Sequence, residues 1–314
     1  MHRPSEYATY LLHRTTNNSF LAAIPLLLLL KDLHAQSGGP ARMLDLNCGV
    51  GHASYLTRLL FPEISVIAAD HDFVNLYLAR KYLIPDTPCI CLDAELPLPF
   101  AENFFSSVLC LDGLHYVRSK KALLKELDRI LEENGLWLFP HLHNALGTNV
   151  SPGVPLSPAG YRECFDFLPM RIYAETEVLR RFMKDEQTDL SKSASPETLN
   201  QAPVLSLVAS RNGNLWRNHA AVKDRLLQIR SNLIINPIYR GNGEGDSLHL
   251  RMAWPSPTLE RECETVKEFL PQTCDIDSSL LARLRAGASQ KEDQPTIDTL
   301  IKSFVLVPLP ENYT

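Results

Sequence analysis

Ala41-Arg42-Met43-Leu44-Asp45-Leu46-Asn47-Cys48-Gly49-Val50-Gly51-His52 carries the decision about the fold. Residues 41–46 form a short apolar run suited to a buried strand, Asn47 to Gly51 form a turn, and a helical pattern follows from about His52 to Leu60. A glycine turn between a strand and a helix lets a ligand approach the backbone, and the helix N-terminus favours negative charge. Working outward, Ser65–Asp70 reads as a second strand that ends in an acid. A helix is expected over 72–82, a third strand over 89–92, a fourth over 107–111, a helix over 119–131 and a fifth strand over 136–139. In the helix over 119–131, Ser119 is the expected N-cap, Leu123, Leu124, Leu127, Ile130 and Leu131 share a face, and Asn134-Gly135 is the expected stop. Strands alternating with helices at this spacing predict an α/β fold, doubly wound, its mostly parallel sheet carrying helices on both faces. Ligands of such sheets bind outside the carboxyl ends of the strands, at the switch point.

Composition agrees with a globular chain. Of 314 residues, 45 % are hydrophobic and 21 % charged, enough for an ordinary core. The net charge of −5 argues against bulk attraction to nucleic acid or to an anionic membrane. Seven cysteines scattered along the chain are no disulfide framework, and reduced thiols in a cytoplasmic protein are expected. The apolar run Phe20–Leu30 is too short to span a bilayer, and a core helix is expected there rather than a signal. Residues 5–35 read as helical, broken or kinked near Pro25, and ended by Ser37-Gly38-Gly39-Pro40.

Beyond the fifth strand the pattern loosens. Ser157-Pro158 looks like a helix start, a helix is expected over 174–183, a polar surface loop over 184–203 and a sixth strand over 204–209. Leu233–Arg240 and Ser247–Trp254 predict a hairpin with a long turn at 241–246. A helix is expected over 258–270, a polar and mobile stretch over 287–295 and a last strand near 303–307. This reading divides the chain into a main domain, 1–210, and a C-terminal α+β extension or insertion, 211–314. The extension is a cap, an extra domain or a homodimer contact, or it returns strand 303–307 to the main sheet.

Asp70 lies 19 residues beyond Gly51, where an acid can hold both hydroxyls of a ribose. Dinucleotide-binding proteins share that feature, but the third glycine of their fingerprint is Ser54 here, and the lysine of a phosphate-binding loop is absent. The whole series discriminates better. Leu44–Gly51 resembles the first motif of class I S-adenosylmethionine-dependent methyltransferases, and Ala69-Asp70-His71-Asp72 resembles their second-strand acid. Asp93-Ala94-Glu95-Leu96-Pro97-Leu98-Pro99-Phe100, Leu114-His115-Tyr116-Val117 and Glu126–Leu131 with Asn134-Gly135 resemble, in order, three further segments of the branch acting mostly on small molecules. Five motifs in order cover about residues 41–140.

The resemblance implies a Rossmann-like fold, S-adenosyl-L-methionine as cofactor and a small-molecule acceptor, with oxygen first and nitrogen second as the atom methylated. It implies that Asp45, Asn47, Gly49 and Gly51 shape the pocket for the amino-acid end of the cofactor. Asp70 and the adjoining His71 would address the ribose, Asp93 and Ala94 the adenine, and Leu111 the methionyl part. Asn47 departs from the family's first glycine, and asparagine tolerates the positive φ that the turn needs. Ser106 stands where the family usually has an acid before strand four. A methyltransferase-like binding protein without catalysis is the reading of another class.

A hydroxyl acceptor also needs a base. His115, after strand four, and His141 and His143, after strand five, fall at the expected edge of the sheet and are the candidate catalytic residues. Two histidines at i and i+2 show no third ligand in sight, so no metal is expected. Asp112 is a candidate contact to the cofactor or to a substrate amine. Tyr161, Arg162 and Phe165 are candidates for a lid, and Trp216, Tyr239, Arg240 and Trp254 for a substrate mouth.

Overall fold

The computed structural model describes residues 4–31, 40–148, 153–244, 246–310 and 313. Helix α1 spans Pro4–Leu12 and α2 Asn18–Leu27. The break between them falls at 13–17 rather than near Pro25, which lies inside α2. Asn17 decides this locally, because its side chain accepts the Phe20 amide at 3.0 Å. The stop expected at 37–40 lies, apart from Pro40, outside the described residues. The chain divides into two compact units, residues 22–222 and residues up to 21 together with those from 223 on.

The larger unit is built on a seven-stranded sheet. Its strands are β1 Arg42–Leu46, β2 Ser65–Asp70, β3 Cys89–Cys91, β4 Phe105–Leu109, β5 Leu131–His143, β6 Met170–Ala174 and β8 Val204–Ala209. They lie in the order β3-β2-β1-β4-β5-β8-β6. The pairs among β1 to β5 are parallel, and β8 runs antiparallel to both β5 and β6. This is the expected Rossmann-like, mostly parallel sheet. The chain leaves β1 toward β2 and β3, then returns to β4 on its other side, so the switch point lies at the carboxyl ends of β1 and β4. Helices α3 His52–Leu60, α4 Phe73–Leu78, α5 Lys120–Ile130, α6 Pro158–Cys164, α7 Glu175–Met183 and α8 Pro196–Gln201 connect or flank the strands.

Helix α5 shows why the motifs travel together. Leu123, Leu124, Leu127 and Ile130 are buried in one core with Phe105, Trp137 and Phe139. On its other side Arg129 donates to the carbonyls of Phe100 (2.7 Å) and Leu98 (2.9 Å), while Glu126 accepts the Leu98 amide (2.9 Å). The helix therefore clamps the loop that carries Asp93 and Ala94. Ser119 stands at the N-cap position without a side-chain cap; the Glu95 carboxylate accepts the amides of Arg118 and Ser119 instead. Asn134-Gly135 is not the helix stop, because α5 passes at Leu131 directly into β5. Ser106 exchanges two hydrogen bonds with the Arg42 backbone, 3.1 and 3.0 Å, and so ties β4 to β1.

Two elements differ from expectation near the second edge of the sheet. Strand β6 precedes α7, and its partly buried Met170 and Arg171 hide any alternation from the sequence. The stretch 184–203 holds strand β7, Thr188–Asp189, and helix α8, which Ser195 caps by accepting the Thr198 amide at 3.1 Å. Strand β7 pairs with β9, Asn218–His219, and Arg171 lies 4.7 Å from the ring centre of Trp216. Residues 211–222 thus belong with the sheet rather than with the C-terminal stretch.

The smaller unit has its own sheets. Strand β10, Leu233–Ile235, pairs antiparallel with β14, Leu306–Pro308, and β11 Tyr239–Glu244, β12 Ser247–Met252 and β13 Thr273–Asp277 form a three-stranded antiparallel sheet. The last strand does not return to the main sheet, whose strands all come from residues 42–209. The glycine-rich stretch 241–244 is strand rather than long turn. A Cβ on Gly241 would lie 2.8 Å from Leu248 Cδ1, so glycine lets the two strands pack. The helix expected over 258–270 is two, α9 Pro257–Glu262 and α10 Glu264–Lys267. Helix α11 spans Ser278–Arg285, and the stretch 287–295 leads through a short 3-10 turn into α12, Gln294–Lys302.

Asn236 explains why the N-terminal residues join this unit. It is buried, accepts from Thr16 Oγ1 at 2.9 Å, and donates to the carbonyls of Phe304 and Val305, each at 2.9 Å. Asn18 Oδ1 accepts the Val266 amide at 3.0 Å. These polar side chains would lose their partners if residues up to 21 packed elsewhere. No helix among the described residues is long and apolar enough to cross a membrane.

Candidate active site

The turn after β1 is built from left-handed residues. Asn47 (φ 57°), Gly49 (φ 55°) and Gly51 (φ 84°) all take positive φ. Asn47 adopts the conformation that its family counterpart reaches as glycine, and its side chain donates to the Gly113 carbonyl at 3.3 Å, joining this turn to the loop after β4. A Cβ on Gly51 would sit 2.7 Å from Ile84 Cδ1, so the Ile84 side chain would have to shift, and at φ 84° any side chain is strained. A Cβ on Gly49 would meet nothing within 4 Å, so the turn opens onto space that a ligand can use. Asp45 lies beneath, buried, accepting from Ser54 Oγ at 2.6 Å. Burial pushes its carboxyl up to about 7, against the Ser54 hydrogen bonds.

Asp70 ends β2 and is buried. Its Oδ2 accepts the Gly49 amide at 2.7 Å and its Oδ1 accepts the Asp72 amide at 2.9 Å. His71 Nδ1 lies 3.4 Å from Asp70 Oδ1, and its side chain is exposed. Asp93 is exposed after β3, with Oδ1 accepting the Glu95 amide at 2.9 Å, and Ala94 is buried beside it. Leu111 is half-buried after β4. The residues fit S-adenosylmethionine: an open glycine cradle at the switch point is flanked by an acid at the end of the neighbouring strand.

The second half of the site lies after β4 and β5. Pairing of β5 with β8 shifts register between Phe139 and Leu142, and inside that bulge His141 takes φ 60°. Asp112 takes φ 57°, its amide held by the Pro140 carbonyl at 3.1 Å. These bends bring three side chains together. Asp112 Oδ1 lies 3.5 Å from His143 Nε2 and 3.9 Å from His141 Nε2. One donor atom from each of the three lies within 4.8 Å of the others, a spacing that can hold a cation. The fold thus supplies the third group that the i, i+2 spacing of the histidines did not show.

Glu175 is the residue that sequence reasoning missed. It opens α7, is buried, and accepts both the His141 amide and His141 Nδ1 at 2.6 Å. Ser206 Oγ donates to its second oxygen at 3.2 Å. The only signal was an acid at the first position of a helix, a common feature. Tyr161 holds the His143 carbonyl at 2.9 Å.

His115 differs from expectation. It is fully buried, 4.2 Å from the His143 ring centre, under the Gly153-Val154 backbone, whose Val154 amide binds the His115 carbonyl at 2.8 Å. Burial, and then the neighbouring His143, push its imidazole down to about 3. It packs behind His143 and has no surface of its own for an acceptor. Tyr161 and Phe165 are core residues rather than a lid, Phe165 lying 5.4 Å from the Phe139 ring centre. Trp216 belongs to the larger unit and Tyr239, Arg240 and Trp254 to the smaller. The Tyr239 hydroxyl is spent on the Pro271 carbonyl at 2.8 Å.

Comparison with known proteins agrees with the motif series. The profile of a family described as "Methyltransferase domain" matches residues 44–139. Malonyl-[acyl-carrier protein] O-methyltransferase of Legionella pneumophila is 30 % identical over 188 residues, covering 57 % of this chain and 64 % of that protein. Phthiotriol/phenolphthiotriol dimycocerosates methyltransferase 1 of Mycobacterium ulcerans is 33 % identical over 111 residues, covering 35 % of this chain and 40 % of that protein. This chain thus spans less than two thirds of the length of either relative. Among solved structures, geranyl diphosphate C-methyltransferase of Streptomyces coelicolor has a TM-score of 0.44 at 15 % identity, covering 60 % of this chain and 80 % of that one. The YcgJ protein of Bacillus subtilis has a TM-score of 0.41 at 16 % identity, covering 60 % and 100 %. Residues 44–139, which match that methyltransferase-domain profile, are the stretch whose motifs resemble S-adenosylmethionine-dependent methyltransferases.

Proposed function

We propose that the protein transfers a methyl group from S-adenosylmethionine to an oxygen of a small organic acceptor. The observation that carries the choice of oxygen is the Asp112–His141–His143 group beside the glycine turn. A sulfonium methyl needs little chemical help, but a hydroxyl acceptor must lose a proton. Glu175 accepts from His141 Nδ1–H, which leaves the His141 Nε2 lone pair facing Asp112. A group of this kind can manage the proton of an acceptor oxygen, whereas an amine acceptor would not require it. The O-methyltransferase activity in the name of the Legionella relative supports the same atom.

S-adenosylmethionine, when bound, supplies an activated methyl group. Gly49 leaves room for its amino-acid end and Gly51 shapes the turn, with Asp45 and Asn47 beneath and beside them. Asp70 accepts from the ribose hydroxyls, with His71 alongside, Asp93 and Ala94 address the adenine, and Leu111 borders the methionyl chain. The histidine cluster orients the acceptor, and His115 backs His143 from the core. The rate then rests on alignment and on exclusion of water. The net charge of −5 supports a small acceptor over nucleic acid, and seven unbridged cysteines support a reducing, cytoplasmic setting. The 22–222 unit, rather than residues 1–210, serves this reading as the catalytic part.

The test is product detection. The full chain is incubated with S-adenosylmethionine and a panel of hydroxyl, carboxylate and amine acceptors, and S-adenosylhomocysteine and methylated product are measured by mass spectrometry. Methylation of oxygen, lost in Asp70→Ala, supports the reading. Methylation of amines alone overturns the choice of atom, and cofactor binding without turnover on any acceptor favours a non-catalytic binding protein.

A further inference from the structure

We propose that Asp112, His141 and His143 form a binding site for one divalent cation of the Zn2+ class, placed to hold the acceptor oxygen. Whether the cation binds stands on the geometry alone. What it does there deepens the proposed oxygen methylation and rests on that reading.

The argument starts from the direction of lone pairs. A buried carboxylate can only accept, so His141 Nδ1 donates to Glu175 at 2.6 Å and its Nε2 presents a lone pair. That lone pair faces Asp112 Oδ1 at 3.9 Å, and the same oxygen lies 3.5 Å from His143 Nε2. In a tetrahedral zinc site, bonds of about 2.0–2.1 Å put neighbouring donors about 3.4 Å apart. The two Asp112–histidine separations, 3.5 and 3.9 Å, lie near that value, and all three donors lie within 4.8 Å of one another, so the set closes on a cation by side-chain adjustment.

The surroundings match a built site. A histidine ligand typically donates its other ring nitrogen to a carboxylate, which sets the tautomer and the ring orientation, and Glu175 does this for His141. Glu175 is itself held by Ser206, and the His143 backbone by Tyr161. Asp112 and His141 both take positive φ, unusual outside glycine, and both bends aim their side chains into the cluster. Two imidazoles and one carboxylate suit zinc, iron or cobalt better than magnesium. Three protein ligands leave a position open for an exogenous oxygen.

The site adjoins the cofactor cradle, because the Asn47 side chain bonds the carbonyl of Gly113, the residue after Asp112. An acceptor hydroxyl bound to the cation loses its proton to water at a lowered pKa. Its oxygen then forms the bond to the methyl carbon as the carbon–sulfur bond breaks, leaving S-adenosylhomocysteine. With the cation bound, the imidazoles hold it and water takes the proton; without it, the His141 Nε2 lone pair is the group that manages the proton.

The test is equilibrium dialysis of the full, chelator-treated chain against Zn2+, with Co2+ absorption spectra alongside. One Zn2+ per chain is expected, with Asp112→Asn and His143→Gln each weakening binding at least tenfold while thermal unfolding stays cooperative. Cobalt should give visible ligand-field bands without thiolate charge transfer. Binding that both variants retain, thiolate charge transfer alone, or no stoichiometric binding overturns the site. If cation binding fails but oxygen methylation persists, the function stands without the metal; if binding succeeds without turnover on any acceptor, the reverse holds.

Discussion

The Glu175 carboxylate grips His141 twice, one oxygen on the backbone amide and the other on Nδ1, both at 2.6 Å. These contacts join the start of α7 to the bulge in β5 across 34 residues, and they decide which ring nitrogen faces Asp112. Gln in place of Glu175 offers one acceptor and one donor where two acceptors are needed. Glu175→Gln is expected to lower kcat by about 10–100-fold, the usual consequence of losing such a supporting carboxylate. Steady-state kinetics together with a urea unfolding curve check this: an unchanged kcat in a folded variant would remove Glu175 from the mechanism.

Asp70 is the joint between two strands of the cofactor cradle. It receives the amides of Gly49 and Asp72, and a charged acceptor contributes about 1.5–3 kcal/mol per hydrogen bond. Asp70→Ala should weaken S-adenosylhomocysteine binding by at least about 30-fold, the equivalent of roughly 2 kcal/mol. Calorimetric titration of both proteins measures it directly.

Asp45 makes stability depend on pH in an unusual direction. Its folded carboxyl is raised to about 7, above its ordinary value, so the folded state binds more protons than the unfolded one between about pH 4 and 7. Its contribution is therefore fully present at low pH and is lost as pH rises through about 7. Asp45→Asn removes this titration. Measured by urea unfolding, the stability of Asp45→Asn relative to the parent chain should rise from pH 4.5 to pH 8, by on the order of 3 kcal/mol at most. A constant difference across that range would show that Asp45 titrates normally.

Gly51 tests the turn. At φ 84°, with the would-be Cβ 2.7 Å from Ile84 Cδ1, alanine meets both backbone strain and a clash. Gly51→Ala should cost about 2–3 kcal/mol, while Asn47→Gly should change stability by less than about 1 kcal/mol, since it trades one hydrogen bond for relief of positive φ. Chemical denaturation of the two variants side by side gives the contrast.

In the smaller unit, Asn236→Ala removes the acceptor of Thr16 and of the Ile238 amide, and the donor to Phe304. Leaving buried groups without partners should cost about 2–4 kcal/mol. Hydrogen exchange should show the loss first in residues up to 21 and around 304–309, without matching loss in β1 to β5.

Much of the site was legible because its determinants are local. The turn from Asn47 to Gly51 announces itself through glycine and asparagine at positions that need positive φ, and a strand ending in Asp70 is visible from six consecutive residues. Strand β6 was hidden because its half-buried residues do not alternate. The stretch 241–246 reads as turn because glycine favours turns, whereas here it serves strand packing against Leu248 on the facing strand, a use that composition does not distinguish.

By itself, the sequence determined the alternation of strands and helices, the cradle at the end of β1 and the acid at the end of β2, since each depends on residues a few positions apart. Only the tertiary structure decided that Asp112 closes on His141 and His143, that Glu175 selects the tautomer, that His115 is buried, and that Thr16 pairs with Asn236 across 220 residues. The physical reason is the same in each case. A hydrogen bond or a shared burial between distant residues exists only after the chain has closed its long loops, and no local pattern records which partner it will find.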